Sequence, residues 1–231
     1  QTDSTPAPQT DSTPAPQTDS TPAPQPDPTP EAIQETEPIV LDCFISSSTI
    51  TNGLYITGSP CSDNFEGKNQ DDILLGKSGD DSLSGKSGND LLRGSQGSDS
   101  LRGGKDNDTL RGGKGADQLI GHKGNDLLIG RQGNDVIRGH SGDDTIKGGQ
   151  GHDIIKAGRG ADLIHLSLGQ DQILDFKPQR GDRLINRKKF SFEATELGGN
   201  LILTDLDNST QITLHNVTLS TALAVHPELF S

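Results

Sequence analysis

Thirteen aspartates recur at intervals of nine residues through the middle of this 231-residue chain, without an exception. They are Asp63, Asp72, Asp81, Asp90, Asp99, Asp108, Asp117, Asp126, Asp135, Asp144, Asp153, Asp162 and Asp171. Two positions after each of them stands a hydrophobic residue, from Phe65 to Ile173. Carboxylate oxygens are the ligands that hard divalent cations prefer. The pattern predicts a repeated cation-binding structure built on one nine-residue unit.

The residues between these aspartates indicate how the repeat is built. Numbered from Gly58, the repeat has aspartate at position six, a hydrophobic residue at position eight, and glycine at most of positions one and four. That much glycine excludes a helical repeat and predicts positive φ at positions one and four, in a tight turn. Positions seven to nine then form a three-residue strand, in which position eight faces the core and its two neighbours face solvent.

Two repeats make one coil of turn, strand, turn and strand, so the structural period is eighteen residues. Coils stack as parallel strands ~4.8 Å apart, which places the aspartates in two columns, one from odd and one from even repeats. Two carboxylates ~5 Å apart repel by roughly 3 kcal/mol at an effective dielectric of 20, and a cation between turns removes this repulsion. Ca²⁺ fits better than Mg²⁺, which needs a stricter octahedron. The remaining residues are expected to vary freely because they face water.

The predicted fold class is all-β, a parallel β-roll, that is a right-handed β-solenoid with 18-residue coils. Residues 1–38 contain three copies of QTDSTPAP and predict a disordered Thr/Pro/Asp-rich linker. Residues 39–57 predict a short N-terminal β cap, with a hairpin at Asn52-Gly53. Residues 58–174 form the roll. Residues 175–231 predict an antiparallel β cap with turns that include Gly198-Gly199-Asn200.

Composition limits the function classes. Only 28% of the residues are hydrophobic and there is no Trp, so the core must be thin and repetitive. The net charge is −13, and residues 1–66 carry acidic side chains but no Lys or Arg. This charge argues against nucleic acid or an anionic membrane as a partner. No apolar run is long enough for a transmembrane segment.

The repeats resemble the nonapeptide repeats of RTX (repeats-in-toxin, hemolysin-type) calcium-binding proteins. GGKGADQLI at 112–120 and GGQGHDIIK at 148–156 match their G-G-x-G-x-D-x-U-x pattern at every fixed position. The resemblance implies several Ca²⁺ ions in two columns, each held by the position-six aspartates of two stacked turns and by backbone carbonyls of the glycine-rich loops. It allows up to six sites in the odd column and up to five in the even one.

Weaker binding is expected at the ends of the array. Gln70 and Asp106 replace the position-four glycine, which predicts distorted loops at 67–72 and 103–108. Ala157 and Leu166 replace the position-one glycine in the last two repeats.

The resemblance also implies a secreted bacterial protein, extracellular or at the cell surface, often exported by type I secretion with a C-terminal signal. The two cysteines, Cys43 and Cys61, are disulfide candidates that would join the cap to the first turn. Two buried free thiols are the alternative.

No catalytic motif is found in the sequence, so we expect no enzyme. The leading hypothesis is a Ca²⁺-binding roll that folds on binding calcium and acts at a surface or in a matrix, with a cell-surface or matrix partner of unknown identity. One alternative is the C-terminal export and folding module of a larger secreted enzyme or toxin. Another is an ice-binding roll, which the long charged side chains at position three disfavour.

Overall fold

The computed structural model describes residues 46–50, 53–186, 191–205 and 210–225. The predicted linker at 1–38, Cys43 and the turn residue Asn52 lie outside the described residues. In chain order the strands are β1 (Ser46–Ile50), β2 (Gly53–Thr57), β3 (Asn64–Glu66), β4 (Ile73–Ser78), β5 (Ser82–Ser87), β6 (Leu91–Gln96), β7 (Ser100–Lys105), β8 (Thr109–Lys114), β9 (Gln118–Lys123), β10 (Leu127–Gln132), β11 (Val136–Ser141), β12 (Thr145–Gln150), β13 (Ile154–Arg159), β14 (Leu163–His165), β15 (Gln170–Ile173), β16 (Arg183–Ile185), β17 (Phe192–Leu197), β18 (Asn200–Asp205) and β19 (Gln211–Leu214). A 3₁₀ turn covers Pro178–Arg180, and helix α1 covers Leu219–Val225.

The strands form two sheets, and consecutive strands of the roll alternate between them. Sheet A has the order β1-β2-β4-β6-β8-β10-β12-β14-β16, and sheet B has the order β17-β18-β19-β15-β13-β11-β9-β7-β5-β3. Within the roll the pairing is parallel and joins residues eighteen apart, as in Leu92 with Leu110 and Leu110 with Leu128. The predicted parallel β-roll with 18-residue coils is confirmed.

The core is the file of position-eight side chains between the two sheets. Phe65 and twelve Leu and Ile residues, ending at Ile173, are buried. Burial of each such side chain contributes about 1.5–3 kcal/mol, so a chain poor in hydrophobic residues still has a continuous core. The prediction that position eight faces inward is confirmed.

Two details of the turns differ from the expectation. Strands β4 to β13 are six residues long rather than three, because pairing continues past position one to position three of the next repeat. Positive φ occurs at positions two and four, not one and four, as at Lys77 (85°) and Gly79 (101°). Position one needs glycine for a different reason, the space occupied by the aspartate carboxylate, which is described below.

Each end of the roll carries strands that lie outside the repeats. Strand β1 pairs antiparallel with β2, which confirms the predicted hairpin and N-terminal cap. At the other end β17, β18 and β19 form an antiparallel meander, and β19 pairs in parallel with β15. Strand β16 extends sheet A by a further parallel pairing with β14.

Helix α1 was not predicted. The hydroxyl of Thr218 accepts a hydrogen bond from the Thr221 N–H, as an N-cap residue does, and Ala222 is buried. Threonine followed by the apolar Leu219 and Ala222 is the sequence signal that was missed.

Candidate calcium-binding turns

The position-six aspartates lie inside the turns, not on the surface. From Asp72 to Asp171 every one is buried, and Asp63 is half-buried. Parallel pairing at an interval of eighteen places odd and even repeats on different sheets, so the thirteen residues fall into two files. Neighbours in a file belong to successive coils.

From Asp72 onward, one oxygen of each carboxylate accepts a hydrogen bond from the coil before it. Oδ1 of Asp81 accepts a hydrogen bond from the backbone N–H of Asp63 at 2.8 Å. The same bond recurs without interruption along both files, as from the Asp90 N–H to Asp108 at 2.9 Å and from the Asp153 N–H to Asp171 at 3.0 Å. This inner ladder satisfies the buried backbone N–H groups of the turns.

The second oxygen, Oδ2, has no such partner in the interior of the array. Within the described residues, ten of these oxygens are buried and accept no hydrogen bond, which costs free energy unless a cation or donor is supplied. They belong to Asp81, Asp90, Asp99, Asp108, Asp117, Asp126, Asp135, Asp144, Asp153 and Asp162.

At the ends of the array Oδ2 is already bonded. The Ser59 N–H donates to Asp63 at 2.7 Å, the Lys68 N–H donates to Asp72 at 2.5 Å, and the Ser167 hydroxyl donates to Asp171 at 2.9 Å. These end carboxylates have less need of a further ligand.

Nine of the ten unbonded oxygens face a space that the position-one glycine of the same repeat leaves open, and in the tenth repeat, that of Asp162, position one is Ala157. A Cβ placed on Gly130 would collide with Asp135 Oδ2 and lie 2.7 Å from the carbonyl oxygen of Gly148 in the next coil. On Gly76 it would meet Asp81 Oδ2 and, at 3.0 Å, the carbonyl oxygen of Gly94. A carboxylate oxygen and a carbonyl oxygen of two stacked turns thus converge on one small space.

This donor set fits a hard cation. Ca²⁺ takes six to eight oxygen ligands from carboxylates and backbone carbonyls in flexible geometry. The position-six aspartates and the position-one carbonyls are the residues that would hold it. Among the described residues no three His, Cys, Asp or Glu side chains gather at one point, because each turn contributes one buried carboxylate and the other oxygens come from the backbone.

The electrostatics of the turns show a deficit of positive charge. Desolvation by burial, together with repulsion from neighbouring carboxylates and against the opposing backbone hydrogen bond, raises the pKa of Asp108 and Asp144 to about 8. The same causes raise the pKa of Asp90 and Asp117 to about 7. A bound cation would relieve both the desolvation and the repulsion.

One member of the inner ladder was missed from the sequence. Oδ1 of Asp182 accepts from the Asp162 N–H at 3.3 Å, and Oδ2 accepts from the Lys177 N–H at 2.7 Å. Asp182 is buried and continues the even file after an interval of twenty residues instead of eighteen. The pair Asp182 and Leu184 keeps the spacing of the repeat, and this signal was overlooked because the period had changed.

A second ladder runs along position five, where free variation was expected. Asn107 Oδ1 accepts from the Asn125 N–H at 2.7 Å, and Asn125 Oδ1 accepts from the Asp143 N–H at 2.8 Å. These exposed side chains bond forward to the next coil, whereas the inner ladder bonds backward. Position five is therefore constrained, and the expectation that it varies freely is wrong for these residues.

The predicted distortions are found at one loop only. Asp106 adopts φ of 74°, the conformation of the glycine it replaces, and Asp108 keeps both of its ladder bonds, so loop 103–108 is regular. In loop 67–72, Gln70 does not adopt positive φ, and Asp72 Oδ2 turns to the Lys68 N–H. The described residues contain no free cysteine, but Cys43 lies outside them, so its pairing with Cys61 stays a prediction.

Stacked glycine–aspartate turns on a parallel solenoid define a β-roll of the calcium-binding class. The family model of the RTX calcium-binding nonapeptide repeat, in four-copy units, matches residues 57–92, 66–101, 93–128, 102–137, 111–146, 120–155 and 138–173. These matches together cover just over half of the chain, and the chain belongs to this family.

Two solved structures show partial likeness. The extracellular lipase LipA from Serratia marcescens aligns with 65% of this chain and 38% of its own, at 19% identity and a TM-score of 0.30. The AlgE6R3 subunit of the Azotobacter vinelandii mannuronan C5-epimerase aligns with 48% of this chain and 71% of its own, at 26% identity and a TM-score of 0.23. At these TM-scores neither likeness assigns a function. The comparison with curated proteins found no match.

Within the described residues no helix is long and apolar enough to cross a bilayer.

Proposed function

We propose that this chain is a secreted, non-catalytic Ca²⁺-binding roll that folds when calcium enters the interior turns, and that it acts at a cell surface or in an extracellular matrix. The observation that carries the proposal is the set of ten buried carboxylate oxygens without a hydrogen-bond partner. Without cations, folding must bury these charges or protonate them near neutral pH. With calcium, the same oxygens become ligands.

Calcium-dependent folding is tested on the full chain by far-UV circular dichroism and isothermal titration calorimetry at pH 7. We expect β-sheet signal to develop on adding Ca²⁺, uptake of more than about four ions, and a weaker response to Mg²⁺, which dehydrates reluctantly. An equally folded chain in EDTA, or uptake of fewer ions, would contradict the proposal.

The neighbouring residues Asp143 and Asp144 offer a matched pair of variants. Asp144 is buried with an unbonded Oδ2, whereas Asp143 is exposed and belongs to the second ladder, along position five. Each substitution to asparagine removes one negative charge and keeps one side-chain oxygen as a hydrogen-bond acceptor. Asp144→Asn should lower the calcium stoichiometry or affinity, and Asp143→Asn should change neither by more than about twofold, since an exposed charge contributes little.

Secretion and the absence of catalysis are separate parts of the proposal. Export is supported by membership of the RTX repeat family, and it would bring the chain to an environment rich in calcium. Detection of the native chain inside cells and not in the surrounding fluid would argue against export. Turnover of ester, peptide or glycoside substrates by the purified chain would argue against a non-catalytic role.

A further inference from the structure

A trough with positively charged walls crosses the outer face of sheet A. Its volume is about 690 Å³, and it spans strands β6, β8, β10, β12 and β14. Its cationic side chains are Arg93, Arg111, Lys114, Arg131 and Lys147, and the described residues that line it include no Asp or Glu. This basic trough contrasts with the net charge of −13 of the whole chain.

No carboxylate of the described residues forms a salt bridge with the cations of the basic trough. The one salt bridge within the described residues joins Lys86 to Glu66, away from the trough. Arg93 and Arg111 are directly paired on adjacent strands, an arrangement of like charges that destabilises a sheet. Nε of the half-buried Arg111 is buried and has no hydrogen-bond partner. An anionic ligand would remove both costs.

The shape and the polar groups of the trough indicate the kind of anion. One wall carries the position-nine cations, and the other carries position three, where Gln96, Lys114 and Gln132 lie side by side in register. The floor is formed by positions one and two, where Gly112 and Gly113 lie between the position-two side chains of Ser95 and Arg131. Cations opposite amides suit an extended polymer that carries both carboxylates and hydroxyl groups.

We propose that the basic trough binds a linear acidic polysaccharide of hexuronate type, with carboxylates on the position-nine wall and hydroxyl groups on the glutamine wall. A 1→4-linked pyranose is about as long as the spacing between strands, so successive sugars meet successive coils. Nucleic acid is disfavoured because single strands stack on aromatic side chains, and the described residues that line the trough include no Phe, Tyr or Trp. Binding of an acidic polysaccharide would deepen the proposed matrix role, and this inference rests on the folded trough and not on calcium chemistry.

The probe is a short oligogalacturonate, with dextran of similar length as the neutral control and oligo(dT) as the phosphate control. The chain is loaded with calcium, freed of excess calcium, and titrated by calorimetry at low and at high salt. Arg93→Gln/Arg111→Gln/Lys147→Gln should weaken binding on the order of tenfold, because each charge keeps some contact with solvent and contributes modestly. Binding should also weaken at high salt.

The matched control removes three charges from the other sheet. Arg102→Gln/Lys105→Gln/Lys123→Gln alters the net charge equally at exposed residues outside the trough and should leave affinity within about twofold. Arg93→Lys/Arg111→Lys keeps the charges and should retain most of the binding. If the triple trough variant fails to fold, Arg93→Gln and Lys147→Gln are measured singly.

Equal losses in both triple variants, equal binding of dextran, or tighter binding of oligo(dT) would overturn the inference. Circular dichroism with and without EDTA separates the two proposals. A chain that folds without calcium and still binds oligogalacturonate would refute the proposal of calcium-dependent folding and leave the proposal for the trough intact. A chain that folds only with calcium but does not bind oligogalacturonate would refute the proposal for the trough and leave calcium-dependent folding intact.

Discussion

Replacing Asp108 by asparagine should stabilise the calcium-free roll at neutral pH and weaken calcium binding. Oδ1 of Asp108 accepts the Asp90 N–H at 2.9 Å, and an asparagine oxygen can accept the same bond. Oδ2 is buried without a partner, and burial raises the pKa of this carboxyl to about 8. The substitution thus keeps the ladder and removes only the charge.

The magnitude follows from the pKa. The folded-state pKa of Asp108 lies above its ordinary value of 3.8, so its contribution to stability is fully present below pH 3.8 and is lost as the pH rises through about 8. At pH 7 the raised pKa corresponds to a loss of about 4 kcal/mol in the free energy of unfolding, and screening by solvent at the turn reduces this loss to ~2 kcal/mol. Asparagine does not titrate, so the calcium-free Asp108→Asn variant should have a free energy of unfolding higher by this amount at pH 7.

The assay is urea denaturation in EDTA, followed by circular dichroism at pH 4 and pH 7, together with calcium titration. Asp108→Ala is the contrasting variant, because it leaves the buried Asp90 N–H without an acceptor and should cost about 1–3 kcal/mol at pH 4, where carboxyl charge matters least. Asp106→Asn is the control at an exposed position two residues away. If asparagine and alanine at 108 destabilise the calcium-free chain equally at pH 7, or if calcium uptake is unchanged, the reasoning is wrong.

Three further predictions concern the turns. Gly94→Ala would push a Cβ into the Asp99 carboxylate and should lower the free energy of unfolding with calcium, measured in urea, by about 1–3 kcal/mol. The control Gly198→Ala has no atom within 4 Å and should cost only about 1 kcal/mol, because of its positive φ. Equal losses in the two variants would argue that the turn at Gly94 is not filled by the carboxylate. In EDTA the β-sheet signal should persist at pH 4 and decline as the pH rises above 3.8, the ordinary aspartate pKa, with the loss complete near pH 8, the highest of the raised aspartate pKa values. Greater stability at pH 8 than at pH 4 would contradict this. Asn107→Ala should cost less than about 1 kcal/mol by urea denaturation, since water can bond the exposed Asn125 N–H; a loss as large as that of Asp108→Ala would be inconsistent with an exposed ladder.

The repeat could be predicted from the sequence because one physical demand fixes each invariant position. Position eight must be apolar to fill the core, and position six must be aspartate to reach the preceding coil. The alternation of sheets, the N-terminal hairpin and the turn at Gly198 and Gly199 followed from patterns that are local or strictly periodic.

The rest depended on contacts that a period does not show. Glycine at position one looked like a backbone requirement, but the structure shows that it makes room for the carboxylate of its own repeat. Position two adopts positive φ even where it is Lys77 or His122, so residue type gave no warning. Asp182 was missed because the chain inserts two residues before it, which breaks the period without breaking the file.

The two ladders explain why the interior and the ends of the array differ. Position six bonds backward to the preceding coil and position five bonds forward to the next, so each interior coil is joined to both neighbours through its turns. Serine at position two in the first and last repeats, Ser59 and Ser167, supplies a hydroxyl to the terminal carboxylates. Interior repeats have a residue with positive φ or glycine at that position, and the adjacent Oδ2 stays unbonded. The need for cations therefore grows with the number of interior turns and not with the number of repeats.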